Sequence, residues 1–194
     1  MRLKFTWAFI IASMLIFFTA CGTTEDNLQE EVESGNDRSA KKEESEEVIV
    51  TLTNNEGENV GSAVLQEVDE GVHIKVDATH LPSGTHGFHI HETGACEAPD
   101  FESAGGHFNP TDAEHGLENP DGPHAGDLPN IEVDEDGTIQ DDIVADMVTL
   151  EKGQENSLLD GDGSSLMIHS DADDHVSQPA GDAGDRIACG VIEE

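Results

Sequence analysis

The chain has 194 residues, with 43 acidic against 8 basic side chains and a formal net charge of −35 at pH 7. So strong an acidic excess argues against a nucleic-acid partner, because phosphate binding is driven by clustered Lys and Arg. Aromatic residues make up only 4% of the chain, so Val, Ile, Leu and Ala must supply most of any core.

In chain order, the first element is a leader. Met1-Arg2-Leu3-Lys4 is a short basic start, Phe5 to Phe18 is almost wholly apolar, and Thr19 and Ala20 put small residues just before Cys21. The apolar run is too short to cross about 30 Å of hydrocarbon as a retained helix, so residues 1–20 read as a signal peptide. A cysteine at the cleavage point resembles the bacterial lipobox, although Phe18 stands where Leu is commoner. This predicts that Cys21 becomes a lipidated first residue, anchored in the outer face of a bacterial cell membrane by two or more acyl chains.

From Gly22 to Glu47 the sequence is rich in Glu, Asp, Ser, Asn and Thr and nearly free of apolar side chains. Such a stretch cannot offset the entropy of ordering, and residues 21–47 are predicted to be a lipidated, disordered acidic tether. Its reach as a flexible coil is roughly 25–30 Å, enough to hold a domain clear of lipid headgroups.

At Val48 the pattern changes. Val48 to Leu52, Ala63 to Leu65, Val72 to Val76, Ile131 to Val133, Thr138-Ile139, Leu166 to His169 and Ile187 to Ile192 are short apolar or alternating runs, separated by turn residues such as Asn54-Asn55-Glu56-Gly57 and Asp134-Glu135-Asp136-Gly137. Runs of this length without helical periodicity predict one all-β domain over residues 48–194, a sandwich or barrel.

Between these runs lies the histidine-rich segment. Six of the ten histidines fall between His86 and His124. His89 and His91 stand two apart in an alternating run, so on a strand both rings project from one face while Phe88 and Ile90 take the other. From His107 the spacing is H-x7-H-x8-H-x2-D, through His115 and His124 to Asp127, in a stretch whose Gly, Pro, Asn and Asp content reads as loop. Three imidazoles and one carboxylate form a closed tetrahedral set suited to zinc. His89 and His91 are then left for a second metal, and imidazole-rich sites suit copper.

Gly87-Phe88-His89-Ile90-His91, Gly106-His107-Phe108-Asn109-Pro110, the H-x7-H-x8-H-x2-D loop, His124 to Leu128 and the ending Gly184 to Ile192 together resemble the copper/zinc superoxide dismutase family, in family order from about Val48 to Ile192. The resemblance implies a Greek-key barrel of about eight antiparallel strands, with a long metal-binding loop and a channel-forming loop. It implies copper on His89, His91, His107 and His169, and zinc on His107, His115, His124 and Asp127, the imidazolate of His107 being shared. It also implies Arg186 as the cation that holds superoxide beside copper, Asp173 as a carboxylate linking a ligand of each metal, and His107 as the carrier of a proton to the second superoxide. His86 matches a position that packs beneath the site and is assigned a structural hydrogen bond; His73, His80 and His175 are assigned to the surface.

Cysteine counting fits this reading. With Cys21 lipidated, Cys96 and Cys189 remain as a pair, and a disulfide suits an oxidising compartment outside the cell.

The sequence departs from the family in its charge. From Val48 onward the only cations are Lys75, Lys152 and Arg186, while the channel loop offers Asp171, Asp173, Asp174, Asp182 and Asp185. Gln178-Pro179-Ala180 lacks the lysine that familiar members place in this loop. The alternative function is a surface lipoprotein that binds copper and zinc without turnover. The sequence carries no reading of oligomeric state.

Overall fold

The computed structural model describes residues 47–194; the expected leader, Cys21 and nearly all of the expected tether lie outside the described residues. Among the described residues nine strands run in the order β1 (Glu47–Asn54), β2 (Asn59–Val68), β3 (Gly71–Ala78), β4 (Gly84–His86), β5 (Phe88–His91), β6 (Ile131–Val133), β7 (Ile139–Ala145), β8 (Ser164–His169) and β9 (Arg186–Ile192). The one helical element among the described residues is a 3-10 turn at Glu102–Ala104.

Alternation sets the inner face. In β1, Val48, Val50 and Leu52 are buried while Glu47, Ile49 and Thr51 face out, the period-2 pattern of a strand with one face on a core. The same alternation buries Val72, Ile74, Val76 and Ala78 of β3. β8, by contrast, is buried along its whole length, because one face packs into the core and the other lies under Phe101, Ala104 and Cys189, which cluster with Met167.

Seven strands form one antiparallel sheet in the order β5-β8-β9-β1-β2-β3-β7, and β4 pairs with β6 in a separate two-stranded ladder. β3 thus pairs with β7 rather than with its sequence neighbour β4, a Greek-key crossing. The small ladder joins the two ends of the large sheet. β4 runs into β5 with only Gly87 between them, and β6 turns back into β7 through Asp134, whose N–H donates to the Thr138 carbonyl at 2.9 Å. The sheet therefore curls into a barrel around Leu52, Leu65, Ile74, Phe88, Ile90 and Leu166.

Among the described residues Gly87 stands where the chain leaves the ladder with β6 and enters the one with β8. An added Cβ there would lie 2.9 Å from that of Ala183 and 3.3 Å from the His89 ring, so the channel loop packs closely against the chain at this point.

Two long loops cover one end of the barrel. The first, residues 92–130, returns along β5: the Glu92 N–H donates to the Gly106 carbonyl (2.9 Å), Phe108 N–H to Ile90 (2.8 Å), and Ile90 N–H to Gly126 (2.8 Å). The second, residues 170–185, joins β8 to β9.

Candidate metal centre

β5 supplies the first two imidazoles. Phe88 and Ile90 enter the core, and His89 and His91 leave the strand on its other face, where the first loop covers them so completely that both are buried. That loop brings His107 opposite His91 and Asp127 opposite His89 through isolated bridges. His169 arrives as the last residue of β8.

These side chains form two groups that share one ring. A donor atom from each of His89, His91, His107 and His169 lies within 4.8 Å of the others, and the same holds for His107, His115, His124 and Asp127.

In the four-imidazole group three rings offer one nitrogen and have the other tied. His89 donates from Nε2 to Asp173 Oδ2 at 2.8 Å, His91 from Nδ1 to the Gly105 carbonyl at 3.1 Å, and His169 from Nδ1 to the Gly184 carbonyl at 3.5 Å. Their remaining nitrogens, His89 Nδ1, His91 Nε2 and His169 Nε2, are buried without a hydrogen-bond partner, as is His107 Nε2. Buried polar atoms are nearly always partnered, and four such nitrogens facing one another fit a copper ion.

The second group is centred on Asp127. Its Oδ2 accepts N–H bonds from Gly116 (2.8 Å) and His124 (3.0 Å), which leaves Oδ1 for the rings. Around Oδ1 stand His107 Nδ1 at 2.7 Å, His115 Nδ1 at 3.1 Å and His124 Nδ1 at 3.3 Å. Three nitrogens and one carboxylate oxygen fit a four-coordinate zinc ion.

Asp173 connects the groups. While Oδ2 takes His89, Oδ1 lies 3.1 Å from His115 Nε2. A Cβ on Gly181 would fall 1.8 Å from that same Oδ1, so only glycine lets the channel loop close over the carboxylate.

The electrostatics follow from burial. Desolvation pushes the imidazolium forms of His89, His91 and His169 down to about 4, about 2 and about 3, so these rings are neutral at pH 7 with lone pairs free for a metal. Burial also pushes His115 down, but hydrogen bonds to Asp127 and Asp173 outweigh it and raise the ring to about 9. For Asp127 burial acts upward, yet His107 and His115 hold the carboxyl well below the usual carboxylate range; His115 and His89 do the same for Asp173.

Beside the four-imidazole group opens a cavity of about 450 Å³, lined by His91, His107, His169 and Arg186 together with Glu92 and Asp112. Arg186 Nη1 donates to the Phe101 carbonyl at 2.5 Å and Nη2 to the Gly105 carbonyl at 2.6 Å. The Gly105 carbonyl thus fixes both Arg186 and His91. The segment that holds Arg186 is tied to β9 by a Cys96–Cys189 disulfide, with Cα atoms 5.7 Å apart.

The structure brings together all seven predicted ligands, Asp173 and Arg186. His86 sits beneath them with both ring nitrogens facing carbonyls, His169 at 2.8 Å and Pro82 at 2.8 Å. His80 is exposed and His73 lies 2.9 Å from Asp142 on the outer sheet face. His175, like His73, is partly exposed; it stands in the channel loop at φ 59°, and its backbone N–H donates to Asp173 Oδ1 at 2.6 Å. The sequence reading missed Asn130, whose amide donates to the Asp173 carbonyl (2.8 Å) and whose oxygen accepts the Asp173 N–H (2.9 Å). It also missed the carbonyls of Gly105 and Gly184, since a backbone acceptor has no residue-type signal.

The sequence matches the copper/zinc superoxide dismutase (SODC) family over residues 59–192. It is 54% identical over 142 residues to superoxide dismutase [Cu-Zn] 2 of Aquifex aeolicus, covering 73% of this chain and 83% of that protein. Among solved structures, a SOD-like protein from Bacillus subtilis aligns with TM-score 0.72 at 48% identity, over 74% of this chain and 97% of that one. The Cu/Zn superoxide dismutase from Brucella abortus aligns with TM-score 0.64 at 34% identity, over 76% of this chain and all 100% of the other.

Proposed function

Because this chain belongs to the copper/zinc superoxide dismutase family, we propose that His89, His91, His107 and His169 hold its copper and that His107, His115, His124 and Asp127 hold its zinc. The protein is a superoxide dismutase with copper and zinc as cofactors. It converts two superoxide anions and two protons into dioxygen and hydrogen peroxide. Bound copper supplies a one-electron couple, and zinc supplies fixed positive charge without redox chemistry.

The residues divide the remaining work. Arg186, with two carbonyls fixing its planar fork, binds the anion in the cavity beside the four imidazoles. His107 is the proton carrier: Nδ1 faces the group that would hold zinc, while Nε2, buried without a partner, can take a proton and pass it to the superoxide that becomes peroxide. Asp173 keeps His89 and His115 in register through its two oxygens, so that each ring turns its free nitrogen inward.

The observation that carries this reading is the inward set of unpartnered ring nitrogens. The test is superoxide dismutation by copper- and zinc-loaded protein beside His169→Ala. Equal activity of the two proteins would remove the copper assignment.

Cys21 is the proposed lipidated residue and the outer face of a bacterial membrane the proposed location. The supports are the leader composition, the lipobox-like cysteine and the Cys96–Cys189 disulfide, which suits an oxidising compartment. Incorporation of labelled palmitate in cells, lost on Cys21→Ser, tests it; label retained by the variant would rule the anchor out.

A further inference from the structure

We infer that Gln178 is a positioning residue for the zinc group, a second tie between the channel loop and His115 that acts through the backbone where Asp173 acts through the ring. The inference rests on the assignment of His115 to zinc.

The geometry is a two-point clamp. Gln178 Oε1 accepts the His115 N–H at 2.9 Å, and Gln178 Nε2 donates to the His115 carbonyl at 2.9 Å. One planar amide thus reads both polar groups of a single residue, as a neighbouring strand would. The same Nε2 lies 3.0 Å from the Val176 carbonyl, which folds the side chain back against its own loop. Asn119 Nδ2 adds a second donor to the His115 carbonyl at 3.0 Å, but the His115 N–H has Gln178 as its acceptor.

The clamp matters because the His115 ring is confined on both sides: Nε2 is tied to Asp173, and Nδ1, the nitrogen left for zinc, stands beside Asp127, each at 3.1 Å. A ring held at both ends has no freedom to absorb a shift of its own Cα. The next residue continues the constraint, since the Gly116 N–H holds Asp127 Oδ2. A Cβ on Gly116 would come within 2.1 Å of the His175 carbonyl, so the two loops are in backbone contact here.

The coupling runs the other way as well. Pro179 and Ala180, which follow Gln178, line the cavity with Arg186. The wall of the substrate cavity is therefore placed by a residue that grips the zinc group.

The test uses the full chain with Gln178→Met, which keeps side-chain length and removes both hydrogen bonds, beside His115→Ala and the parent. Zinc and copper affinities are measured separately by chelator competition, and exchange of the His115 amide hydrogen is followed in the metal-free protein. The expected result for Gln178→Met is zinc affinity weaker by about tenfold, as for other partners of metal ligands, with copper affinity retained and faster His115 amide exchange. Parent-like zinc affinity in Gln178→Met with weakened zinc in His115→Ala would overturn this inference alone. Parent-like zinc affinity in both variants would overturn the zinc assignment and the inference with it. Equal loss of both metals would show general loosening of the loops and also overturn a specific role.

Discussion

Asp173 and His89 lie 2.8 Å apart, Oδ2 to Nε2, with both side chains fully buried. The other oxygen of the same carboxylate holds His115, so one side chain on the channel loop sets a ring in each metal group. An amide in its place offers one oxygen for two N–H donors and leaves the other unpaired. Asp173→Asn should weaken zinc binding more than copper, by roughly 10- to 100-fold. Competitive metal titration checks this; zinc affinity equal to the parent would contradict it.

Arg186 reaches two carbonyls at once, which the single ammonium of lysine cannot reproduce. Arg186→Lys keeps the charge and loses the fork, and kcat/KM should drop roughly 10- to 100-fold, the equivalent of one charged hydrogen bond of roughly 1.5–3 kcal/mol. Metal content should be unchanged, since Arg186 is not in either ligand group. A variant that loses copper instead would show that the guanidinium stabilises the site rather than binding superoxide.

The substrate is an anion, and the cavity lining includes Glu92 and Asp112 on a chain of net charge −35. The field of such a surface slows anion encounter, and salt screens it over about 8 Å at 0.15 M. Activity should therefore rise, or at least hold, as salt is added. Stopped-flow or pulse measurements across ionic strength decide the matter, and a steep decline with salt would reverse the sign of the argument.

Acid should destabilise the metal-free protein before its surface carboxylates titrate. His89, His91 and His169 are held neutral, with folded values of about 4, 2 and 3 against an ordinary value near 6.5. Below pH 6.5 the unfolded chain takes up protons that the folded chain refuses, so stability falls as pH falls. His115 has the opposite sign: its stabilisation is full below 6.5 and is lost as pH rises through about 9, so it does not counter the loss at acid pH. Urea denaturation at pH 5 and pH 6.5 should differ by roughly 4–5 kcal/mol, and a flat profile would place these rings in contact with water.

Much of this was legible from residue types. Alternation in Val48 to Leu52 and Val72 to Val76 marked strands, because one face of each must be apolar. The spacing His107, His115, His124, Asp127 marked a zinc-type ligand set. What sequence could not carry was the identity of partners that act through the backbone. The Gly105 and Gly184 carbonyls orient His91 and His169, yet any residue has a carbonyl. Gln178 was noted only within Gln178-Pro179-Ala180, a stretch without a lysine, since its two-point contact with His115 depends on how two loops 63 residues apart in sequence fold together. The close approach of Ala183 to Gly87 was hidden likewise, since it comes from the far loop.

One side of β5 pairs with β8, and its other side is occupied by stretches of the ligand-bearing loop at Gly106, Phe108 and Gly126. That loop is thus a surrogate strand, and when it lifts away it uncovers an unpaired sheet margin able to template pairing with another chain. Stripping the metals should for this reason do more than end turnover: chelated protein held near neutral pH should bind a cross-β dye over time while the loaded form stays dark. The ions would then serve as latches against self-assembly as well as agents of chemistry.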